Sequence, residues 1–235
     1  AAFYRELSEV ELYYCQHCSH FFTDLESIKN KEDYSPEYFT KKHANWFENP
    51  DLKLFDYLLR CVEKTNKRET SVLDAGCGNG DFLRYLKQKS KNFKLTGIDY
   101  YKNTPEESIN FLSGDIFNTE FNEEFDVVIS LAVIEHISEV RKYVERLKQL
   151  CKKDGIIIVM TPNNASLLYG FSRIIYPFGV KAPMEALYDK HHLNHFSKNS
   201  LEYLFKEHSL EVVENNITQF NFNSLSLPKS SPVMN

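Results

Sequence analysis

The sequence is short of glycine and proline, with 8 of each in 235 residues, and it has 3 methionines, 1 tryptophan and 5 cysteines. So little glycine and proline excludes a collagen-like or low-complexity chain. The cysteines (Cys15, Cys18, Cys61, Cys77 and Cys151) are odd in number and contain one C-x-x-C, which is no disulfide framework and fits a reducing compartment. Positive charge is not in excess either. With 28 Lys and Arg against 33 Asp and Glu the formal charge is −5, so the basic footprint that nucleic acid or an anionic membrane surface rewards is missing. The longest stretch without charge, Gly155 to Ser172, is interrupted by Thr161-Pro162-Asn163-Asn164, whereas a membrane span needs about 20 mostly apolar residues. Ala1 to Val10 carries Arg5, Glu6 and Glu9 and lacks the apolar centre of a secretory signal. The expectation is a cytoplasmic protein with no membrane span and no nucleic-acid partner.

What is present is enough apolar matter for a sizeable core, at 42% hydrophobic and 14% aromatic residues. Residues 1–48 read as an extension with no sustained period. From Asn49-Pro50-Asp51 a helical pattern runs through Leu52, Phe55, Leu58, Leu59 and Val62. Short apolar runs then alternate with helical stretches. Strands are predicted at Ser71–Asp74, Lys94–Asp99, Asn110–Gly114, Phe125–Leu131 and Gly155–Thr161, with helices at Asp81–Lys89, Pro105–Ser108 and Ser138–Cys151. Runs such as Asp126-Val-Val-Ile-Ser130 suit strands buried on both faces, so the fold class is α/β: a three-layer, doubly wound, mostly parallel sheet. This domain covers 49–220, with a further helix at Ser200–His208 and a strand at Leu210–Phe220. The residues 221–235 read as a C-terminal loop or truncated final strand.

Three of the eight glycines, Gly76, Gly78 and Gly80, fall within five residues, in Val72-Leu73-Asp74-Ala75-Gly76-Cys77-Gly78-Asn79-Gly80-Asp81-Phe82-Leu83. A strand, a tight turn and a helix start in that order let a ligand approach the backbone and favour a negative group at the helix N-terminus. The dinucleotide fingerprint G-x-G-x-x-G fails, because its third glycine position is Asp81. Acids stand where the next two strands end. Asp99 closes Leu95-Thr96-Gly97-Ile98-Asp99, where a carboxylate can accept from both hydroxyls of a ribose, and Asp115 follows Ser113-Gly114, where it can accept from an adenine amine.

This ordered set resembles the class I S-adenosylmethionine (SAM) methyltransferases. VLDAGCGNGDFL is similar to their first motif, LTGIDY to the ribose acid, SGDIF to the adenine loop, FDVVISLAVIEHI to the fourth strand and GIIIVMTPN to the fifth. The resemblance covers Ser71 to Phe220. It implies SAM as cofactor and S-adenosylhomocysteine as product. Gly76 and Gly78 would lie against the methionine part, and Asp74 would hold its amino group. Asp99 and Tyr100 would take the ribose, Asp115 and Ile116 the adenine, and Leu131 would close the pocket. One departure stands out, since the family's sheet ends in a seventh, antiparallel strand and no strand-like run follows Phe220.

Methyl transfer from a sulfonium asks the protein mainly to desolvate and align the acceptor. The Asn or Asp, two prolines and an aromatic that serve amine methylation are replaced here by Ser130-Leu131-Ala132-Val133-Ile134-Glu135-His136. The Glu135-His136 pair resembles small-molecule O-methyltransferases, which implies a hydroxyl acceptor on a sugar, glycan precursor or quinone-like ring. His136 is the candidate general base, weighed against a helix-entry residue. His192 and His195, in HHLNHFSKNSLEYLF, are candidates for the acceptor side, weighed against loop packing. Residues 162–197, with the aromatic stretch Ser166 to Tyr188, read as an irregular substrate lid, weighed against a helix that covers the sheet edge.

Cys15-Gln16-His17-Cys18-Ser19-His20 has the spacing of one zinc knuckle and resembles the end of the zinc ribbon in front of some sugar methyltransferases. Four ligands are needed and no second C-x-x-C follows, so no metal is assigned. Tyr34 to Trp46 is expected to fold over the cofactor pocket. Two other readings stay open, a nicotinamide-dependent oxidoreductase and a catalytically silent SAM-fold subunit.

Overall fold

The computed structural model describes residues 1–28, 51–100 and 103–217. Three short strands open the chain: β1 (Ala2–Glu6), β2 (Glu11–Tyr14) and β3 (Phe21–Thr23). Helix α1 (Leu52–Glu63) starts at Asp51, whose carboxylate accepts from the amides of Lys53 and Leu54 and so satisfies two otherwise orphaned donors. There follow β4 (Thr70–Ala75), α2 (Asp81–Lys89), β5 (Phe93–Asp99), β6 (Ile109–Ser113), β7 (Phe125–Leu131), α3 (Val140–Leu150) and β8 (Cys151–Met160). The chain continues through α4 (Leu167–Ile175), α5 (Ala182–Leu187), β9 (Asn194–His195) and α6 (Lys198–Glu207).

The five strands β4 to β8 form one sheet in the order β6-β5-β4-β7-β8, with every neighbouring pair parallel. Alternation along β4 sends its side chains to two cores. Val72 joins Leu95, Val127 and Ile129 under α1 and α2, packing on Leu58, Phe82 and Leu86. Leu73 joins Ile98 and Val128 under α3 and α6, packing on Tyr143, Leu147 and Leu204. The result is a three-layer α/β/α domain whose strand carboxyl ends share one rim. At the opposite end Asp126 is held by the amide and hydroxyl of Ser71, at 2.9 and 2.8 Å, and by Lys152 at 3.0 Å.

Several expectations change. Residues 1–28 are not structureless: β1, β2 and β3 pair antiparallel and β9 completes a second sheet in the order β1-β2-β3-β9. Short strands interrupted by tight turns leave too few alternations to read. The stretch from Ser166 to Tyr188 is mostly helical rather than irregular, because Ser166 caps α4 and prolines stand at the first turns of the segments that follow. Its inner side packs on the second sheet in a third core of Leu7, Val10, Leu12, Tyr169, Met184 and Tyr188. Pro105 to Ser108 forms a turn with a single bridge instead of a helix. Residues 210–217 form no strand. Tyr34 to Trp46, the end of the expected last strand and residues 221–235 lie outside the described residues.

Candidate active site

The glycine turn hangs between β4 and β5. The amides of Gly76 and Cys77 both donate to the Ile98 carbonyl, at 2.8 and 3.1 Å, and the Gly80 amide closes the turn on Cys77. Gly76, Gly78 and Gly80 have φ of 83°, 52° and 82°, the left-handed region that favours glycine. A Cβ on Gly76 would stand 2.4 Å from Val133 Cγ2, so the turn and the segment after β7 fit together only with hydrogen at that position.

Two carboxylates flank this turn. Asp74 lies near the end of β4, in register with Gly97 of β5 and Ile129 of β7, and is 3% exposed. Its Oδ1 has no hydrogen-bond partner in the protein. Burial, reinforced by the nearby Asp99 charge, pushes its carboxyl up to about 7. Asp99, at the end of β5, accepts from the Gly78 amide at 2.8 Å through Oδ2. An enclosed acid that lacks a partner fits a cationic amino group, and a backbone turn without side chains fits a ligand chain laid along it.

The remaining expected cofactor residues ring this centre. Tyr100 follows Asp99 and is 70% exposed. Asp115 caps the turn after β6, accepting from the Phe117 amide and from Asn118 Nδ2, both at 3.0 Å, so one of its roles is structural. Ile116 packs against the second core, and its carbonyl accepts from Arg146 at 3.0 Å. Leu131 ends β7, paired with Met160. Asn103 joins them unforeseen, donating to the Gly78 carbonyl at 2.8 Å; it lies in a loop with no motif to flag it.

Beyond Leu131 the chain turns sharply. Ala132 has φ of 55°, a strained value for a residue with a Cβ, and its amide donates to the Met160 carbonyl. A single 3-10 turn, Ile134–His136, follows. Glu135 is 2% exposed, its Oε2 lacks a partner, and burial pushes its carboxyl up to about 7. His136 Nδ1 lies 2.8 Å from the His191 carbonyl. A carbonyl only accepts, so Nδ1 carries the hydrogen and Nε2 is the acceptor nitrogen of the neutral ring.

The two histidines expected on the acceptor side part company. His192 stacks edge-on against His136 with ring centres 4.8 Å apart. His195, in β9, is 3% exposed, tucked against Tyr188 and within 3.3 Å of the Thr23 hydroxyl; burial lowers it to about 3. That enclosure makes it a packing residue of the second sheet. Ligand atoms of Glu135, His136 and His192 all lie within 4.8 Å of one another, a group able to hold a divalent ion. The 55 residues between His136 and His192 hid this trio from the sequence. Among the described residues no third ligand joins Cys15 and Cys18.

A parallel sheet in this order, with a glycine cradle between two acids at its rim, defines the Rossmann-like fold of class I SAM-dependent methyltransferases. The family profile described as Methyltransferase domain matches residues 46–215, and the chain belongs to that family. Its cofactor is SAM, which the enclosed Asp74 and the Gly76 turn fit. Among curated relatives, the ubiquinone biosynthesis O-methyltransferase of Rickettsia prowazekii is 30% identical over 173 residues, covering 64% of this chain and 66% of the relative. That of Rickettsia canadensis is 33% identical over 168 residues, covering 62% and 68%. The malonyl-[acyl-carrier protein] O-methyltransferase of Acetivibrio thermocellus is 27% identical over 134 residues, covering 53% and 47%. The chain thus spans from about half to two thirds of the length of these relatives. Among solved structures, the plantazolicin methyltransferase BpumL in complex with a pentazolic desmethylPZN analog and SAH has a TM-score of 0.52 at 23% identity, covering 74% of this chain and 76% of that one. YcgJ of Bacillus subtilis has a TM-score of 0.51 at 19% identity, covering 67% and 68%. These two likenesses concern the fold alone.

Proposed function

We propose that the protein transfers the methyl group of SAM to a hydroxyl of a small molecule, with a phenolic hydroxyl of a quinone-type ring as the first candidate and a sugar hydroxyl as the second. The observation that carries this reading is His136, held by the His191 carbonyl so that Nε2 is its acceptor nitrogen, in the turn that follows β7, the strand paired with β4. Bound SAM supplies the methyl group as a sulfonium electrophile. Asp74 would pair with its ammonium, Asp99 would orient the ribose hydroxyls, and Asp115, Ile116 and Leu131 would frame the base. His136 Nε2 would take the acceptor's hydroxyl proton, and the oxygen so freed would accept the methyl group that the sulfonium supplies. Family membership leaves a nicotinamide-dependent reaction without support.

The buried Glu135 beside His136 and His192 favours a second reading, in which this trio would hold a divalent ion through His136 Nε2, making the ring a ligand in place of the base. Such an ion lowers the proton affinity of a hydroxyl that reaches it. The outer side of α4 bears Leu167, Phe171 and Ile174, exposed and apolar, and residues 162–197 are read as the acceptor-side cover. Among the described residues no helix is long and apolar enough to cross a membrane.

The test is formation of S-adenosylhomocysteine from SAM with catechols, hydroquinones, free sugars and nucleotide sugars, with and without Mg²⁺ or Mn²⁺. Turnover on phenols above sugars supports the first candidate, and the reverse order supports the second. Tight SAM binding with no transfer to any hydroxyl would overturn the proposal in favour of a silent binding subunit.

A further inference from the structure

The second sheet and the candidate base are joined by a continuous set of hydrogen bonds. On one side, residues 191–195 are stitched to the turn after β7. The Leu193 amide donates to the Glu135 carbonyl at 2.7 Å, Asn194 Nδ2 donates to the Ile137 carbonyl at 2.6 Å, and the His191 carbonyl accepts from His136 Nδ1. On the other side the same residues are stitched to β3. The Thr23 amide donates to the Leu193 carbonyl at 2.9 Å and the Thr23 hydroxyl to the His192 carbonyl at 3.1 Å. Asn194 also reaches back, its Oδ1 lying 3.2 Å from His20 Nε2. Thr23 and Asn194 are 4% and 8% exposed, so water does not readily replace these bonds. The 191–195 segment is thus a strip clamped between β3 and the Glu135-His136 turn.

We propose that Thr23 and Asn194 are positioning residues: through the clamped strip they fix the tautomer of His136 and its approach to His192, so the second sheet is part of the methyl-transfer machinery. The inference rests on the O-methyltransferase reading above. The hydrogen bonds of Thr23 and Asn194 run to the strip, to His20 and to the turn after β7, and not to the glycine turn. Each acts through a backbone carbonyl, Thr23 on that of His192, whose ring meets the His136 ring, and Asn194 on that of Ile137, the next residue in the chain. Loosening either lets the His191 carbonyl drift from Nδ1, and the hydrogen then distributes between the two ring nitrogens. A misplacement of about 1 Å costs on the order of 100-fold in a proton-transfer step.

The experiment compares Thr23→Val, which keeps the shape and loses the hydroxyl, with Thr23→Ser, which keeps the hydroxyl, and with Asn194→Asp, which sets an oxygen against the Ile137 carbonyl. Nitrogen-15 spectra of histidine-labelled protein read the His136 tautomer without any acceptor, and steady-state kinetics on the best acceptor read kcat and KM separately. The expected result is a wild-type ring with hydrogen on Nδ1, and mixed tautomers in Thr23→Val and Asn194→Asp. Their kcat falls about 10- to 100-fold, while acceptor KM and S-adenosylhomocysteine affinity stay within about threefold and Thr23→Ser behaves as wild type. An unchanged His136 signature and kcat in both variants would overturn the inference. So would losses that Thr23→Ser shares and that follow falling thermal stability and cofactor affinity, because that is a structural role alone. If the wild-type protein methylates no hydroxyl, the O-methyltransferase reading fails by itself, and the ring signature still decides whether Thr23 and Asn194 set the tautomer.

Discussion

The cofactor side and the acceptor side of this molecule are built in different ways. On the proposed cofactor side, Asp74, Gly76, Gly78 and Asp99 lie within 26 residues of chain, on two strands whose register is fixed over six residue pairs and on the turn that leaves the first of them. On the proposed acceptor side, Thr23, Glu135, His136, His192 and Asn194 come from three segments more than 50 residues apart, joined by single hydrogen bonds and by the two residue pairs of β3 with β9. A cofactor common to many enzymes can be held by a local motif. An acceptor peculiar to one enzyme is met by surfaces that differ between proteins of one fold, because function lives in sites set on a shared scaffold.

The largest expected effect isolates the acceptor side. His136→Gln keeps a hydrogen-bonding side chain and removes the base, so kcat is expected to fall about 100- to 10,000-fold. Equilibrium titration should show S-adenosylhomocysteine affinity unchanged, and a comparable loss of that affinity would erase the division between the two sides. Asp99→Ala probes the other half. Losing two charge-assisted hydrogen bonds to ribose at about 1.5–3 kcal/mol each is expected to weaken cofactor binding by 100-fold or more, as read by calorimetry. The transfer rate at saturating cofactor should change far less.

A smaller effect comes from pH. The Asp74 carboxyl is raised to about 7 in the fold, from an ordinary value of 3.8, so the folded protein takes up a proton that the unfolded chain does not. Its contribution to stability is therefore fully present below about pH 4 and is lost as pH rises towards 7 and beyond. Binding of an ammonium favours the carboxylate, so cofactor affinity is expected to rise up to tenfold per pH unit as pH increases through 7, with proton release on binding. Calorimetry in buffers of different ionisation enthalpy measures this, and Asp74→Asn should remove the slope. The smallest effect belongs to the outer side of α4, where Phe171 is 59% exposed. Phe171→Ala should leave thermal stability within about 0.5 kcal/mol. If the segment is an acceptor cover, acceptor turnover falls while cofactor affinity stays; unchanged turnover removes that idea.

How much of this was legible follows the same division. The alternation of apolar runs and helical stretches located all five parallel strands, since strands buried on both faces must be almost wholly apolar. The acids Asp74, Asp99 and Asp115 do lie at or just past the carboxyl ends of β4, β5 and β6. The second sheet escaped because β3 is three residues long and its partner β9 only two, too short for period-two alternation, and they lie 170 residues apart. Asn103 and Thr23 carried no signal, as a polar residue in a loop or short strand has many ordinary reasons to be there. His195 looked like its neighbour His192 in sequence, and only burial separated them.

By itself, then, the sequence determined the α/β scaffold, the glycine cradle and the acids beside it, because local periodicity and a turn of left-handed residues are properties of contiguous chain. The tertiary structure alone decided which histidine faces His136, that Glu135 is enclosed with Oε2 unpartnered, and that the first strands brace the turn carrying Glu135 and His136. Those depend on contacts between segments far apart in the chain, whose burial and hydrogen bonding exist only once the two sheets have packed.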